Sequence, residues 1–258
     1  AGARAAYIIY PYLHGHTISS KQLTPQHIQH IATVSAQLHQ LKLYSCNLGV
    51  AKRNPGKQSH DSLGYASLHP GYIDINIPTF KPFIIQQTEW LSHLSGFENL
   101  LTTRLPLFHD IMARHLDAFA RLKQQVVISH RDFTPGNVLW QSDSKFTVID
   151  WELAGWINPE LEMLNNAIDV ANTEQGIKPE NVFYYLSAYK NIIGQINATP
   201  LDLIYGCLGS WAHWILFCLK QQNQTFKPLE SEKMIRQALQ VIDFLLKNAE
   251  NIAKTLLT

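Results

Sequence analysis

Residues 128–140 read ISHRDFTPGNVLW, and the reading of this stretch decides the fold. It sets His130, Asp132 and Asn137 close together, with the stiff Pro135 and the permissive Gly136 between the last two, and it ends in the strand-like VLW. VVI precedes it at 126–128. QSDSK at 141–145 has the composition of a hairpin turn, and FTVIDW returns as an apolar strand ending at Asp150. An Asp, an Asn five residues on and a second Asp closing the return strand can meet at one end of such a hairpin. Mg²⁺ takes oxygen ligands and retains waters and substrate phosphates besides. The pattern therefore suits phosphoryl transfer, with Asp132 as the base or hydroxyl-orienting group and Asn137 and Asp150 as metal ligands. A plainer reading makes Asp132 and Asn137 caps of the turns around Pro135-Gly136, and His130 a structural residue that holds loop carbonyls.

Outward from the hairpin the chain is mostly helical. Thr24 and Pro25 stand where an N-cap and first helical residue belong, and Ile28, Ile31, Val34, Leu38 and Leu41 follow at helical spacing. Residues 54–71 are loop-like, and PTFKPFII at 78–85 leads into a helical stretch around Glu89–Leu94. A second helix spans Pro106 to Gln124, with Phe108, Ile111, Met112, His115, Phe119 and Leu122 on one face. Beyond Pro159 come helices at 179–193, from Thr199 with a Thr199/Asp202 capping box around Pro200, and at 228 to about 246. AYIIY at 6–10 reads as a strand ended by Pro11 and Gly15. The plan is one largely helical α+β domain with a small hairpin near its middle.

Composition narrows the classes. The 258 residues suffice for a substantial core, and 46% are hydrophobic. A formal net charge of +1, from 21 basic and 20 acidic residues, argues against a dedicated nucleic-acid or membrane-surface protein. Cys46, Cys207 and Cys218 are odd in number and lack CxxC spacing, which favours a reducing compartment over a disulfide framework. The longest apolar stretches, such as WILFCL at 214–219, are too short to span a bilayer, so a cytoplasmic, membrane-free chain is expected.

HRDFTPGNVLW followed by VIDWELAGWINPE resembles the HxDxxxxN catalytic loop and metal-binding IDW segment of the aminoglycoside phosphotransferase and choline/ethanolamine kinase family, whose fold is protein-kinase-like. YIIYPYLHG resembles that family's inter-lobe strand and hinge, and VSAQLHQL at 34–41 its Leu-His helix segment. The resemblance covers most of the chain after residue 6. It implies that Asp132, with His130, is catalytic, that Asn137 and Asp150 hold Mg²⁺, and that Tyr10, Tyr12 and Leu13 join them in holding ATP. It also divides the chain into a remnant of the small lobe and hinge at 1–13 and a helical C-terminal lobe at 14–258. Only AGARA precedes the hinge strand, without a glycine-rich loop or strand Lys. Truncation, a natural large-lobe fragment and a chain that has lost catalysis each account for this; truncation is favoured, because strand 6–10 would otherwise carry an unpaired edge.

For the acceptor, SWAHWILF at 210–217 sets Trp211 and Trp214 at i and i+3. They read either as core packing or as an aromatic wall for an ammonium group, which a Trp face attracts. The family resemblance adds Glu152 to that pocket, implying a small cationic alcohol such as choline as substrate. Two departures stand out: Asn158 and Glu162 in GWINPELEM replace two Asp positions of the family pattern. An aminoglycoside acceptor would call for a carboxylate cluster, with Glu160, Glu162, Asp169 and Glu174 as candidates unless they form a solvated face. A binding or regulatory module without catalysis is the third possibility.

Overall fold

The computed structural model describes residues 12–41, 75–76, 79–80, 87–94, 96–222 and 225–258. The expected strand at 6–10, Tyr10, Cys46 and the loop-like 54–71 lie outside them.

Helix α1 (Pro25–Gln40) starts where its cap predicts: Thr24 Oγ1 accepts from the His27 N–H, and His27 Nδ1 accepts in return from the Thr24 N–H. Its inward residues include Ile28 and Ile31, whereas Leu41 falls beyond the last turn and is exposed. Short strands β1 (Ile75–Asn76) and β2 (Thr79–Phe80) pair antiparallel, and short helices α2 (Gln87–Ser92) and α3 (Glu98–Leu101) follow. In α4 (Leu105–Leu122) every residue of the expected face is buried. His115 on that face meets the Tyr205 carbonyl at 3.2 Å, and burial lowers its pKa to about 4, so it stays neutral near pH 7.

The strands that frame the quoted loop are β3 (Val127–Ser129), β4 (Val138–Ser142), β5 (Lys145–Val148) and β6 (Gly155–Ile157). β4 and β5 form the expected antiparallel hairpin, with Val138 opposite Val148. β3 does not join it; it pairs antiparallel with β6, Val127 opposite Ile157. The loop is thus suspended between two separate ladders. β5 stops two residues short of the expected end, because Asp150 adopts the left-handed conformation (φ 65°, ψ 58°), which no ladder accommodates.

The remainder is helical, apart from the two-residue strands β7 (Asn172–Thr173) and β8 (Gly176–Ile177): α5 (Pro159–Ala171), α6 (Pro179–Ile193), α7 (Pro200–Gln221), α8 (Pro228–Lys247) and α9 (Ala249–Leu257). α7 packs against both α4 and α8, and α1 against α6. Among the described residues α7 is long and apolar enough to cross a membrane, yet most of it is buried in the helical core. Its cap is half of the expected box. Thr199 accepts from the Asp202 N–H, but the Asp202 carboxylate turns to the Arg121 guanidinium at 2.6–3.0 Å.

Candidate active site

The loop begins with His130, which is fully buried. Its Nε2 donates to the Ile149 carbonyl (2.8 Å), and its Nδ1 accepts from the Asp132 N–H (3.3 Å). Both nitrogens are therefore spent on backbone, one on the residue before Asp150 and one on Asp132 itself. Through these two bonds His130 clamps the two halves of the site together.

Asn137 closes the loop. Its Nδ2 donates to the Asp132 carbonyl and to Asp132 Oδ2, each at 2.8 Å, and its own carbonyl accepts from the Ile149 N–H (2.9 Å). Asp132, Asn137 and Asp150 are thus brought together by hydrogen bonds, beyond what capping the Pro135-Gly136 turn requires. Burial raises the Asp132 carboxyl to about 6; the Asn137 amide and His130 pull it down, while the negative charges of Asp150 and Glu152 push it up. Arg131 (φ 68°) and Asp150 both sit in the left-handed region, which for a residue with a side chain costs about 1–3 kcal/mol. Trp151 helps to hold the second of these: its Nε1 donates to the Val148 carbonyl (2.9 Å), and its ring meets His130 edge-on, 4.7 Å between centroids.

The buried side of the loop is held by residues whose role the sequence did not reveal. Glu162 Oε1 accepts from the Arg131 N–H (2.7 Å), and its Oε2 lies 2.8 Å from His39 Nε2. His39 Nε2 is also 3.1 Å from Ser129 Oγ, and its Nδ1 is 2.6 Å from Tyr189 Oη. Burial pushes the Glu162 carboxyl up, but hydrogen bonds from His39, Ser129 and the Arg131 N–H outweigh it and hold it below the usual range.

A profile of the phosphotransferase enzyme family matches residues 1–165. The chain belongs to that family. No curated protein matches the sequence. Among solved structures, the phosphotransferase chain is similar to a spectinomycin phosphotransferase in complex with ADP and spectinomycin (16% identity, TM-score 0.55, 93% of this chain and 70% of that one). An ethanolamine kinase of Plasmodium vivax matches at 15% identity and TM-score 0.53, over 92% of this chain and 67% of that one. An aminoglycoside phosphotransferase of Alicyclobacillus acidocaldarius matches at 14% and 0.55, over 93% and 70%. At these identities the likeness establishes the protein-kinase-like α+β fold.

Of the residues expected to meet the nucleotide, Tyr12 is 84% exposed and Leu13 is exposed too. Their segment is laid on the hairpin by His16, whose N–H and carbonyl pair with Trp140 at 2.9 and 2.8 Å. Gly15 permits that approach, because a Cβ there would lie 2.7 Å from the Trp140 carbonyl oxygen.

Among the described residues no group of three or more His, Cys, Asp or Glu side chains is arranged to hold a metal. Asn137 and Asp150 nevertheless fit a hard cation. Asn137 Oδ1 receives no donor and the exposed Asp150 carboxylate no cation among the described residues, and the negative charges of Asp150 and Glu152 act on Asp132.

Of the residues expected to meet the acceptor, Glu152 is exposed on the turn after Asp150. Trp211 is only 4% exposed, inside the core, whereas Trp214 is partly exposed and stacked on Phe217 at 5.4 Å. Of the four carboxylates considered for a polycationic acceptor, three have partners within the protein. Glu160 is buried and accepts from the Asn197 and Ala198 N–H groups (2.7 and 2.6 Å), Glu162 is internal, and Glu174 pairs with Lys233 at 2.7 Å.

Proposed function

We propose that the protein transfers the γ-phosphoryl group of ATP to the hydroxyl of a small cationic alcohol, choline or a related amino alcohol. The observation that carries this reading is Asp132, a carboxyl raised to about 6 and held by Asn137 at the open end of the hairpin. A base with that pKa is ionised at neutral pH and accepts a proton readily. Asp132 would orient the acceptor hydroxyl and take its proton as the oxygen bonds to phosphorus and the bond to the nucleotide's β-phosphate oxygen breaks. Asn137 Nδ2 keeps Asp132 Oδ2 in place during that transfer. Asn137 and Asp150 would hold Mg²⁺, which when bound neutralises charge on the phosphate oxygens. Tyr12 and Leu13 line the approach of the nucleotide.

Glu152 supplies a negative charge beside Asp132 for an acceptor ammonium, and Trp214 is the indole with surface left to face one. Packing accounts for Trp211. A single cation-recognising carboxylate and one partly exposed indole suit a monocation better than a polycation, which favours an amino alcohol over an aminoglycoside.

The test combines a phosphoryl-transfer assay over choline, ethanolamine and an aminoglycoside with calorimetric affinities. Transfer to an amino alcohol is expected and should vanish in Asp150→Asn with the fold retained. Trp214→Phe should weaken amino-alcohol binding about 5- to 30-fold with little change in thermal midpoint. Transfer to the aminoglycoside alone, insensitive to Trp214, would replace the choline-like reading.

A further inference from the structure

We propose that the seam between α4 and α7 is an acid-sensitive latch, closed by neutral His115 and His213 and opened locally when they take up protons. The inference does not depend on the phosphoryl-transfer reading. It concerns how firmly α7, the helix that carries Trp214, is held.

Gly209 sets how closely the two helices meet. A Cβ there would lie 2.2 Å from both Cγ and Nδ1 of the His115 ring, so the imidazole rests directly against the α7 backbone. Its Nδ1 donates to the Tyr205 carbonyl at 3.2 Å, which leaves Nε2 as the nitrogen that a second proton must reach, between packed helices. His213 stands one turn beyond Gly209 on the same face of α7, and both its ring nitrogens are shielded from solvent. The neighbours of His115 on the α4 face, Phe108, Ile111, Met112 and Phe119, are apolar. Burial lowers His115 to about 4; burial, Lys220 and His115 together lower His213 to about 3.

The charged groups around the seam are engaged with one another. On α4, Asp110 pairs with Arg114, which lies over the Tyr205 ring, and Arg121 holds Asp202 at the start of α7. Lys220 pairs with Glu89 of α2, and Asp243 of α8 pairs with Arg104. Asp169 of α5 acts on Cys207, on the side of α7 away from Gly209. Two protonated rings would therefore face each other and Lys220 across an apolar contact, and separation of α7 from α4 relieves both. In the opened seam each ring regains the ordinary value of 6.5 and binds its proton more tightly than in the closed one. The closed seam is thus firm above pH 6.5 and weakens as pH falls toward 4 and then 3.

Hydrogen exchange of the α7 amides between pH 7 and pH 5, expressed as protection relative to the unstructured rate at each pH, reads the opening. Linkage allows up to about 30-fold loss of protection at pH 5 for each histidine that leaves the seam. In the native protein α7 protection is expected to fall about tenfold or more, while that of α1 and α6 falls less than about 3-fold. His115→Asn keeps an N–H for the Tyr205 carbonyl but takes no second proton, and His213→Gln removes the other titrating ring. Each should shrink the pH-dependent fall in α7 at least about 3-fold, and the double variant should leave it below about 2-fold. If His115→Asn does not fold, His213→Gln, at a position only partly covered, decides alone. A native protein whose α7 protection does not change with pH would overturn the proposal. So would a fall that persists undiminished in the folded variants, or one shared equally by α1 and α6, which would be acid unfolding of the whole chain.

Discussion

Asp132 and Glu162 are carboxylates on opposite sides of one loop, and burial acts on both in the same sense, toward protonation. They end in opposite places. Asp132 rises to about 6, because the Asn137 amide and His130 do not offset burial and the like charges of Asp150 and Glu152. Glu162, fully internal, falls below the usual range because His39, Ser129 and the Arg131 N–H all donate to it. Burial pushes both up, and the donors around each carboxylate decide whether it prevails. The outer group is left ready to exchange a proton, and the inner one is locked as an anion that shapes the backbone.

Neutral isosteres at the two positions should therefore fail in different ways. Asp132→Asn keeps an acceptor for Asn137 but cannot take a proton, and turnover should fall by about 10²- to 10⁴-fold with nucleotide affinity nearly unchanged. Single-turnover kinetics and calorimetry check this; a variant that loses only nucleotide affinity would break the assignment. Glu162→Gln should act first on stability. Removing one member of a buried charged network costs about 3–5 kcal/mol, because the remaining groups lose their partner inside the protein. Urea unfolding measures it, and a loss below about 1 kcal/mol would show that the inner carboxylate is no anchor.

The two carboxylates also differ in how far the sequence discloses them. Asp132 and Asn137 are five residues apart on one loop, and their hydrogen bond was within reach of local spacing. Glu162 and His39 are 123 residues apart; the family pattern marks Glu162 as a replaced Asp position and His39 as part of a Leu-His segment, but nothing in either neighbourhood announces that the two meet. The same division runs through the fold. α6 was legible at 179–193 because Pro179 opens it and Gly194 ends it. α5 was not, since it is buried almost all round and has no polar face to set a period. The Trp211/Trp214 spacing was legible as a helix face but not as core or pocket, because i and i+3 say nothing of what the face meets. The separation of β3 from the hairpin was likewise hidden, since pairing with β6 depends on the course of the intervening chain.

The smallest expected effect sharpens the contrast through pH, in metal-free buffer so that only the protein's own charges act. Asp132 has a folded pKa near 6, above the ordinary 3.8, so the folded state binds its proton more tightly than the unfolded chain does. Its ionisation therefore costs the folded state stability above pH 6, a cost that shrinks as pH falls through the window from 6 to 3.8. Glu162 has the opposite sign: its folded pKa lies below the ordinary 4.5, so its contribution is present above that value and is lost as pH falls through the lower folded pKa. Asp132→Asn should then raise the thermal midpoint at pH 8 by on the order of 2–4 °C, equivalent to roughly 1 kcal/mol for a chain of this size. The gain should shrink as pH falls from 6 and disappear only well below 3.8, where the carboxyl is protonated in both states. Glu162→Gln should behave inversely, its deficit largest at pH 8 and narrowing in acid. Melting curves of the three proteins across this range measure both trends. A destabilised Asp132→Asn at pH 8 would mean that additional donors compensate Asp132, and the distinction between an outer reactive carboxylate and an inner structural one would fail.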